Sequence, residues 1–504
     1  MAADAASAPS FTVSQVERGK GLYAQNCASC HGKTLEAGEF GPALKGGAFL
    51  DRWGGRPVSE LAAYLHASMP PGQAGELNNA AYAALVALLL DSNGAIVGDR
   101  ELPADPLASI AMRVPGEARS EQQKLRTTSL GAITPGISLP QWAKPPNPLE
   151  HYRPVTEAML NAPADGEWLT WRRTHDALGF SPLQQITRKN VGTLRLAWSL
   201  SLPAGLNEME PLMHDGVLFV YSFRDNVQAL DAATGNELWH YQRQLPDSVV
   251  PNTKRGMALY GDELFIGTSD VHEIALDVRT GRVVWDQPLA AAGGAFVLTG
   301  GPLVAKGKVM QGVGGRGAGG DYIVALDAAT GKEAWRFDTI AHPGQPGGDS
   351  WNGLPIGQRQ GASIWTSGSY DPQLNLAFFG PGNTYDTGPL RYPAGVPGAT
   401  SDGLYTDTTL ALDPDTGKLK WYFQHVHNDQ WDLDWAFERQ LVPLSVGGQL
   451  RKLVVTAGKI GIWDALDAAT GRYAFSYDMG LQTLVSAIDP VTGEKTIDPA
   501  LLPD

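Results

Sequence analysis

Apolar positions organise the chain into three stretches of different rhythm. In the first hundred residues they predict helices over Val13–Asn26, Val58–Ser68 and Ala80–Leu90. The last is the longest apolar run, and Asp91 ends it. It is too short to cross about 30 Å of hydrocarbon, so it reads as a buried amphipathic helix of a soluble protein. From about residue 101 to 167 the rhythm fades, and prolines recur at 103, 106, 115, 135, 140, 145, 146 and 148. Such a stretch reads as linker or surface-wrapping chain. Beyond it short apolar runs predict strands, as in Gly216-Val-Leu-Phe-Val220 and Asp262-Glu-Leu-Phe-Ile266. The expected organisation is a small domain over 10–97, a linker over 98–165 and a β domain over 166–504.

One phrase recurs within the β domain, close to Ala-Leu-Asp-x-x-Thr-Gly-x-x-x-Trp. It starts from Asp231, Asp277, Asp327, Asp413 and Asp467, and the aromatic eight residues on is Trp239, Trp285, Trp335, Trp421 and Phe475. Asp-x-x-Thr-Gly suits a tight turn between strands, with the aromatic packing on a neighbouring unit. Successive copies lie 46, 50, 86 and 54 residues apart, the spacing of a β-propeller with four strands per blade. The phrase is structural, so its residues are not site candidates. From Trp168 onward this spacing leaves room for about six blades, which predicts a propeller short of its closing blades, either truncated or completed by another segment. Gly312-Val-Gly314-Gly-Arg-Gly317 satisfies G-x-G-x-x-G but runs into the strand-like Tyr322-Ile-Val-Ala-Leu326 instead of opening a helix, so NAD binding is rejected.

Composition agrees with the pattern. The 59 Gly and 14 Trp favour turn-rich β architecture, and a net charge of −14 argues against nucleic acid as a partner. The amino terminus has neither a basic region nor an apolar core, so no signal peptide is visible, although it could equally begin a mature chain. Only 2 Cys occur, and they cannot form a disulfide framework. They stand together in Cys27-Ala-Ser-Cys30-His31, the pattern of covalent haem c attachment: two thiols reach the haem vinyl groups and the next residue turns its imidazole onto iron. Zinc would need a second ligand pair, and a thioredoxin-like site would not need His31. Met69, in Ser68-Met69-Pro70-Pro71-Gly72, is the expected sixth ligand, with Met112 and His66 as rivals. This region resembles class I cytochrome c domains.

The repeat phrase, with Trp171-Arg-Arg-Thr-His-Asp176 and Ser181-Pro-Leu-Gln-Gln-Ile-Thr187, resembles the quinoprotein alcohol dehydrogenases. These are eight-bladed propellers that bind pyrroloquinoline quinone (PQQ) and a metal ion. A cytochrome ahead of the propeller looks most like polyvinyl alcohol dehydrogenases. The resemblance implies a periplasmic enzyme that oxidises an alcohol, polymeric or secondary, by hydride transfer to PQQ. Electrons would then pass through haem c to an external acceptor, such as a soluble cytochrome or a quinone-linked chain. It implies Asp432, in Trp431-Asp432-Leu433-Asp434, as catalytic base and metal ligand, and Asp434 as the added ligand of lanthanide-using members. Asn383, in Gly380-Pro-Gly-Asn383, would be the metal-binding asparagine beside Ca²⁺ or a lanthanide, although Thr384 replaces the usual proline. Trp365 would be the floor on which the quinone stacks, and Arg255, Lys459, Glu208 and Thr268 would contact it. The residue types suit the chemistry: a planar tricarboxylate needs an aromatic floor and basic side chains, and a hard cation needs oxygen ligands.

Two departures stand out. The family's adjacent cysteines are replaced by Val249-Val250-Pro-Asn-Thr253, and its metal-binding glutamate should fall near Arg316 or Gly317, where Asp321 is the nearest carboxylate. They leave two other readings in view: a non-catalytic propeller scaffold joined to an electron-transfer cytochrome, and a quinoprotein acting on sugars or aromatic alcohols.

Overall fold

Each Asp-x-x-Thr-Gly turn is closed in the same way. The glycine N–H donates to the aspartate carbonyl at 2.8 Å in all five copies. Asp231 Oδ1 caps the turn by accepting from Thr234 N at 3.1 Å, as Asp277 Oδ1 does from Thr280 N at 2.9 Å. Gly235, Gly281, Gly331, Gly417 and Gly471 sit at φ 67 to 73°, the left-handed region. Glycine is required there twice over, because a Cβ would lie 2.5 to 2.7 Å from a tryptophan ring of the preceding unit. Trp239, Trp285, Trp335 and Trp421 cover the turns that follow them, and each indole N–H donates to a carbonyl beside that turn.

The structure, a computed structural model, describes residues 11–36, 42–70, 75–104, 112–115, 147–291, 295–317, 319–392 and 394–502. Residue 10, Pro71 and Gly72, most of the proline-rich stretch (116–146) and residue 504 lie outside the described residues. The chain divides into two compact units, 1–143 and 144–504.

The second unit is a β-propeller built of five four-stranded antiparallel meanders, over residues 212–242, 258–288, 303–338, 369–424 and 440–478. Phe296–Val297 adds a short strand to the third. A bulge falls between the third and fourth strands of every sheet, after Ala229, Ala275, Ala325, Ala411 and Ala465. Where about six blades were expected, the sixth unit is a two-stranded hairpin, Val485–Ile488 with Lys495–Ile497. Its turn is another Asp-x-x-Thr-Gly, Asp489 to Gly493, lying against the Tyr473 ring. At the other end Trp198, which lies in no strand, covers Gly235 and donates to Ala232 O at 3.1 Å, as the sheet tryptophans do on the turns that follow them.

The segment expected to be linker is partly absorbed by the folded units, because its apolar residues find cores. Leu149, Tyr152, Val155 and Leu160 are buried in the propeller core, and Val155 pairs with Gly261. Leu102 and Val114 are buried in the core of the first unit.

That first unit is helical: α1 (Val13–Asn26), α2 (Ala28–His31), α3 (Gly47–Trp53), α4 (Val58–Ser68) and α5 (Asn79–Ser92). Thr12 caps α1 and Asn78 caps α5, which is why α5 starts before Ala80. Gly19 permits the close crossing of α1 with α5, since a Cβ there would meet Ala84 O at 2.2 Å. Among the described residues no helix is long and apolar enough to cross a membrane.

Candidate functional site

In the helical unit α1 ends at Asn26, and Cys27, ahead of the short α2, lines a narrow cleft, while Cys30 and His31 are not among its lining residues. Cys27, Met69, Leu44, Leu65, Leu85, Leu89 and the rings of Tyr23 and Tyr82 line it. Both phenols spend their hydroxyls on backbone, Tyr23 on Gly32 O (2.6 Å) and Tyr82 on Met69 O (2.8 Å), which leaves the cleft apolar. His31 is buried, and its Nδ1 lies 2.8 Å from the Pro42 carbonyl. With Nδ1 donating there, Nε2 keeps the lone pair that iron needs. Burial, and then the neighbouring Cys30, push the Cys27 thiol up to about 11. Met69 lines the cleft; Met112 and His66 do not, and His66 packs 5.0 Å from the Tyr82 ring.

The propeller holds an open cavity of about 1230 Å³ lined by loops from several sheets. It brings together Trp365, Arg255, Lys459, Asn383, Asp432 and Asp434. The Arg255 guanidinium lies 5.1 Å from the Trp365 ring centroid, and Phe437 props the same ring edge-on at 5.2 Å. Glu208 does not line the cavity but holds Arg255 in an ion pair at 2.9 Å. Lys459 Nζ lies 2.9 Å from Asp432 Oδ2 and 2.8 Å from Asp434 Oδ2, so the two carboxylates are spaced to share one cation. Their surroundings differ. The Asp432 side chain is 60% exposed to the cavity, whereas that of Asp434 is 8% exposed. Burial raises the Asp434 carboxyl, against the pull of Lys459 and of a 3.1 Å hydrogen bond from Asn383 N. Both aspartates adopt left-handed backbone, at φ 64° and 42°.

Thr268 is not brought to this cavity. It is fully buried, and its hydroxyl donates to Asp270 at 2.6 Å inside a turn.

Four cavity-wall groups carry no signal in the repeat phrase. Ser363 lines the wall, its hydroxyl donates to the buried Asp321, and it accepts from Tyr385 Oη at 2.5 Å. Burial pushes Asp321 up to about 7 despite that bond and one from Gly315 N. Arg316 lies over the Tyr385 ring at 5.5 Å. Asn252, also on the cavity wall and in the stretch that replaces the expected cysteine pair, has a buried carboxamide with no partner among the described residues. The signal available for Arg316 and Asp321 was their nearness to the missing glutamate.

Among the described residues Glu167, His214 and Asp215 form another group with metal-like convergence, but Arg153 pairs with both carboxylates and makes it a structural ion cluster.

Comparison with known proteins agrees with both units. The profile described as "PQQ: Glucose/ethanol/alcohol dehydrogenase, beta-propeller domain" matches residues 168–478, and that of "Cytochrome C oxidase, cbb3-type, subunit III" matches residues 14–89. The chain is 37% identical over 369 residues to quinohemoprotein alcohol dehydrogenase ADH IIB of Pseudomonas putida, covering 69% of this chain and 52% of the relative. It is 34% identical over 366 residues to the dehydrogenase subunit of the quinone-linked alcohol dehydrogenase of Gluconobacter oxydans, covering 67% and 48%. Among solved structures, quinohemoprotein alcohol dehydrogenase ADHIIG of P. putida superposes with a TM-score of 0.64 at 31% identity, covering 69% of this chain and 53% of that one. The chain thus spans about half the length of the curated relatives it matches. With a PQQ propeller profile over most of its length, a cytochrome profile over its first helical unit and these relatives, the chain belongs to the PQQ-dependent quinohaemoprotein alcohol dehydrogenase family.

Proposed function

We propose that the protein is a periplasmic alcohol dehydrogenase using PQQ and covalent haem c. The observation that carries the reading is the single cavity in which Trp365, Arg255, Lys459, Asn383, Asp432 and Asp434 converge from positions spread over two hundred residues of chain. The orphaned Asn252 amide on its wall fits a ligand rich in carbonyl and carboxylate oxygens. When bound, the quinone supplies a hydride acceptor, a Ca²⁺ or lanthanide ion beside it a Lewis acid, and the haem one-electron transfer.

The chain's own residues bind and orient. Trp365 would supply a flat floor for the quinone, and Arg255, steadied by Glu208, would supply a cation for one of its carboxylates. Asn383, Asp432 and Asp434 would be the oxygen ligands for the cation; the Lys459 ammonium shared by the two carboxylates supports their serving one positive centre. Asp432, facing open cavity, takes the hydroxyl proton of the alcohol at its carboxylate. In the helical unit His31 and Met69 would hold the haem iron, and Cys27 and Cys30 would anchor the group covalently; Met69 and Cys27 line the cleft, and the His31 ring is oriented by the Pro42 carbonyl. Haem attachment to Cys-x-x-Cys-His outside the cytoplasm supports the periplasmic placement. The amino-terminal position of the cytochrome supports polymeric or secondary alcohols as substrates, and an external cytochrome or quinone-linked chain as acceptor.

The test is spectroscopic. The purified haem-loaded chain, given PQQ with Ca²⁺ or La³⁺, is expected to reduce its own haem on addition of a secondary alcohol, and not without PQQ. Haem that stays oxidised under every such condition overturns the reading.

A further inference from the structure

The cavity wall carries three cations, and they differ in what holds them. Arg255 has Glu208 at 2.9 Å, and Lys459 has Asp432 and Asp434 at 2.9 and 2.8 Å. Arg316 has no carboxylate in ion-pair range among the described residues. Yet it does not trail freely into solvent. Its Nη1 donates to Gln360 Oε1 at 2.8 Å, and the guanidinium lies 5.5 Å from the Tyr385 ring centroid. Tyr385 is itself fixed, its hydroxyl donating to Ser363 Oγ at 2.5 Å and Ser363 donating to Asp321, which is 2% exposed. A buried carboxyl, a serine and a phenol therefore brace a guanidinium that lines the cavity and spends one N–H donor, through Nη1, on Gln360. A fork of fixed donors with no protein anion is complementary to a planar carboxylate. In a chain of net charge −14, such a cation is also where an anionic ligand finds attraction.

We propose that Arg316, braced by Tyr385, Ser363 and Asp321, is a carboxylate-binding residue of the cavity. This rests on the quinone reading above, in which the ligand is a tricarboxylate and the two other cations are already paired with protein acids. The carboxylate has two sources, the quinone or an alcohol substrate bearing an acid group, and the experiment separates them. The residue stands where the resemblance leads one to expect a metal-binding glutamate, so the charge on this wall is reversed.

Equilibrium dialysis of PQQ against the full haem-loaded chain measures affinity without turnover. Arg316→Gln is expected to weaken PQQ binding by about 10- to 100-fold, the value of one charge-assisted pair. Arg316→Lys should recover much of the loss, and the gap between wild type and Arg316→Gln should narrow at high salt. In parallel, kcat/KM is compared for 1-butanol and 4-hydroxybutyrate at saturating PQQ. If PQQ affinity holds while the preference for 4-hydroxybutyrate falls about tenfold, the carboxylate bound is the substrate's and the proposal stands. If neither quantity moves in Arg316→Gln, the proposal is overturned. Failure of the wild-type chain to bind PQQ overturns the quinone reading and this proposal with it, whereas binding that ignores Arg316 overturns the proposal alone. Arg316 is exposed on the wall, so folding should survive, and an unchanged melting curve checks this.

Discussion

The rim of the propeller and the mouth of its cavity handle the same backbone problem in opposite ways. At the rim every left-handed turn residue of the repeat is glycine, and the missing side chain makes room for an indole. At the cavity Asp432 and Asp434 adopt left-handed backbone with their side chains present. Each such residue costs about 1 kcal/mol or more, and persists where surrounding structure over-determines it. Here Leu433 N–H donates to Asp429, Trp435 N–H to Asp407, and Lys459 ties the two aspartates together. The rim is therefore optimised for packing and the mouth for the direction in which carboxylates point.

Substitutions at the two places should separate stability from chemistry. The largest effect is expected from Asp432→Asn, which keeps size and tolerates φ 64° but cannot take a proton. Alcohol-dependent haem reduction should fall by about 10² to 10⁴-fold with little change in melting temperature. A matching loss of stability would mean the mouth is structural after all. Gly281→Ala is the converse: the new methyl meets the Trp239 ring at 2.5 Å in a left-handed position. Calorimetry should show a loss of about 2 to 4 kcal/mol, while the folded fraction keeps its turnover. A rim variant that lost activity but not stability would break the distinction.

The smallest effect is confined to a pH range. Burial raises Asp321 to about 7, so its protonated form is favoured in the folded state. Below about pH 4 the group is protonated folded and unfolded, and nothing is lost. The penalty grows as pH rises and is complete above about 7. Asp321→Asn, which can still accept from Ser363, should therefore gain stability on the wild type between those limits, by up to about 2 to 4 kcal/mol. A melting-temperature difference that is flat from pH 4 to 7 would refute this.

What was legible in the sequence follows the same division. Cys27 to His31 is a contiguous signal, and the rim phrase is periodic, so cytochrome and propeller could both be read. The phrase search passed over Trp198, which follows no Asp-x-x-Thr-Gly turn, and Asp489 to Gly493, where Ile497 replaces the aromatic. The prolines before residue 166 masked Leu149, Tyr152, Val155 and Leu160, whose place in the core depends on tertiary packing alone. At the cavity, resemblance picked out Trp365, Arg255, Lys459, Asn383, Asp432 and Asp434, which the structure gathers. It also picked out Thr268, whose hydroxyl is spent inside a turn. The brace from Asp321 through Ser363 to Tyr385 spans 64 residues of sequence, and no local pattern encodes it.

The indole-on-glycine joint has a direction: from Trp239 onward the ring belongs to the earlier sheet and the turn to the later one. A chain made from its amino terminus thus completes each sheet with an uncovered aromatic. That ring stays exposed until roughly one more repeat has been synthesised and has folded beneath it. Assembly is then vectorial, each blade acting as a template that waits for its successor. A slow codon or a destabilised turn in one repeat would leave the preceding blade's tryptophan, not its own, open to chaperones.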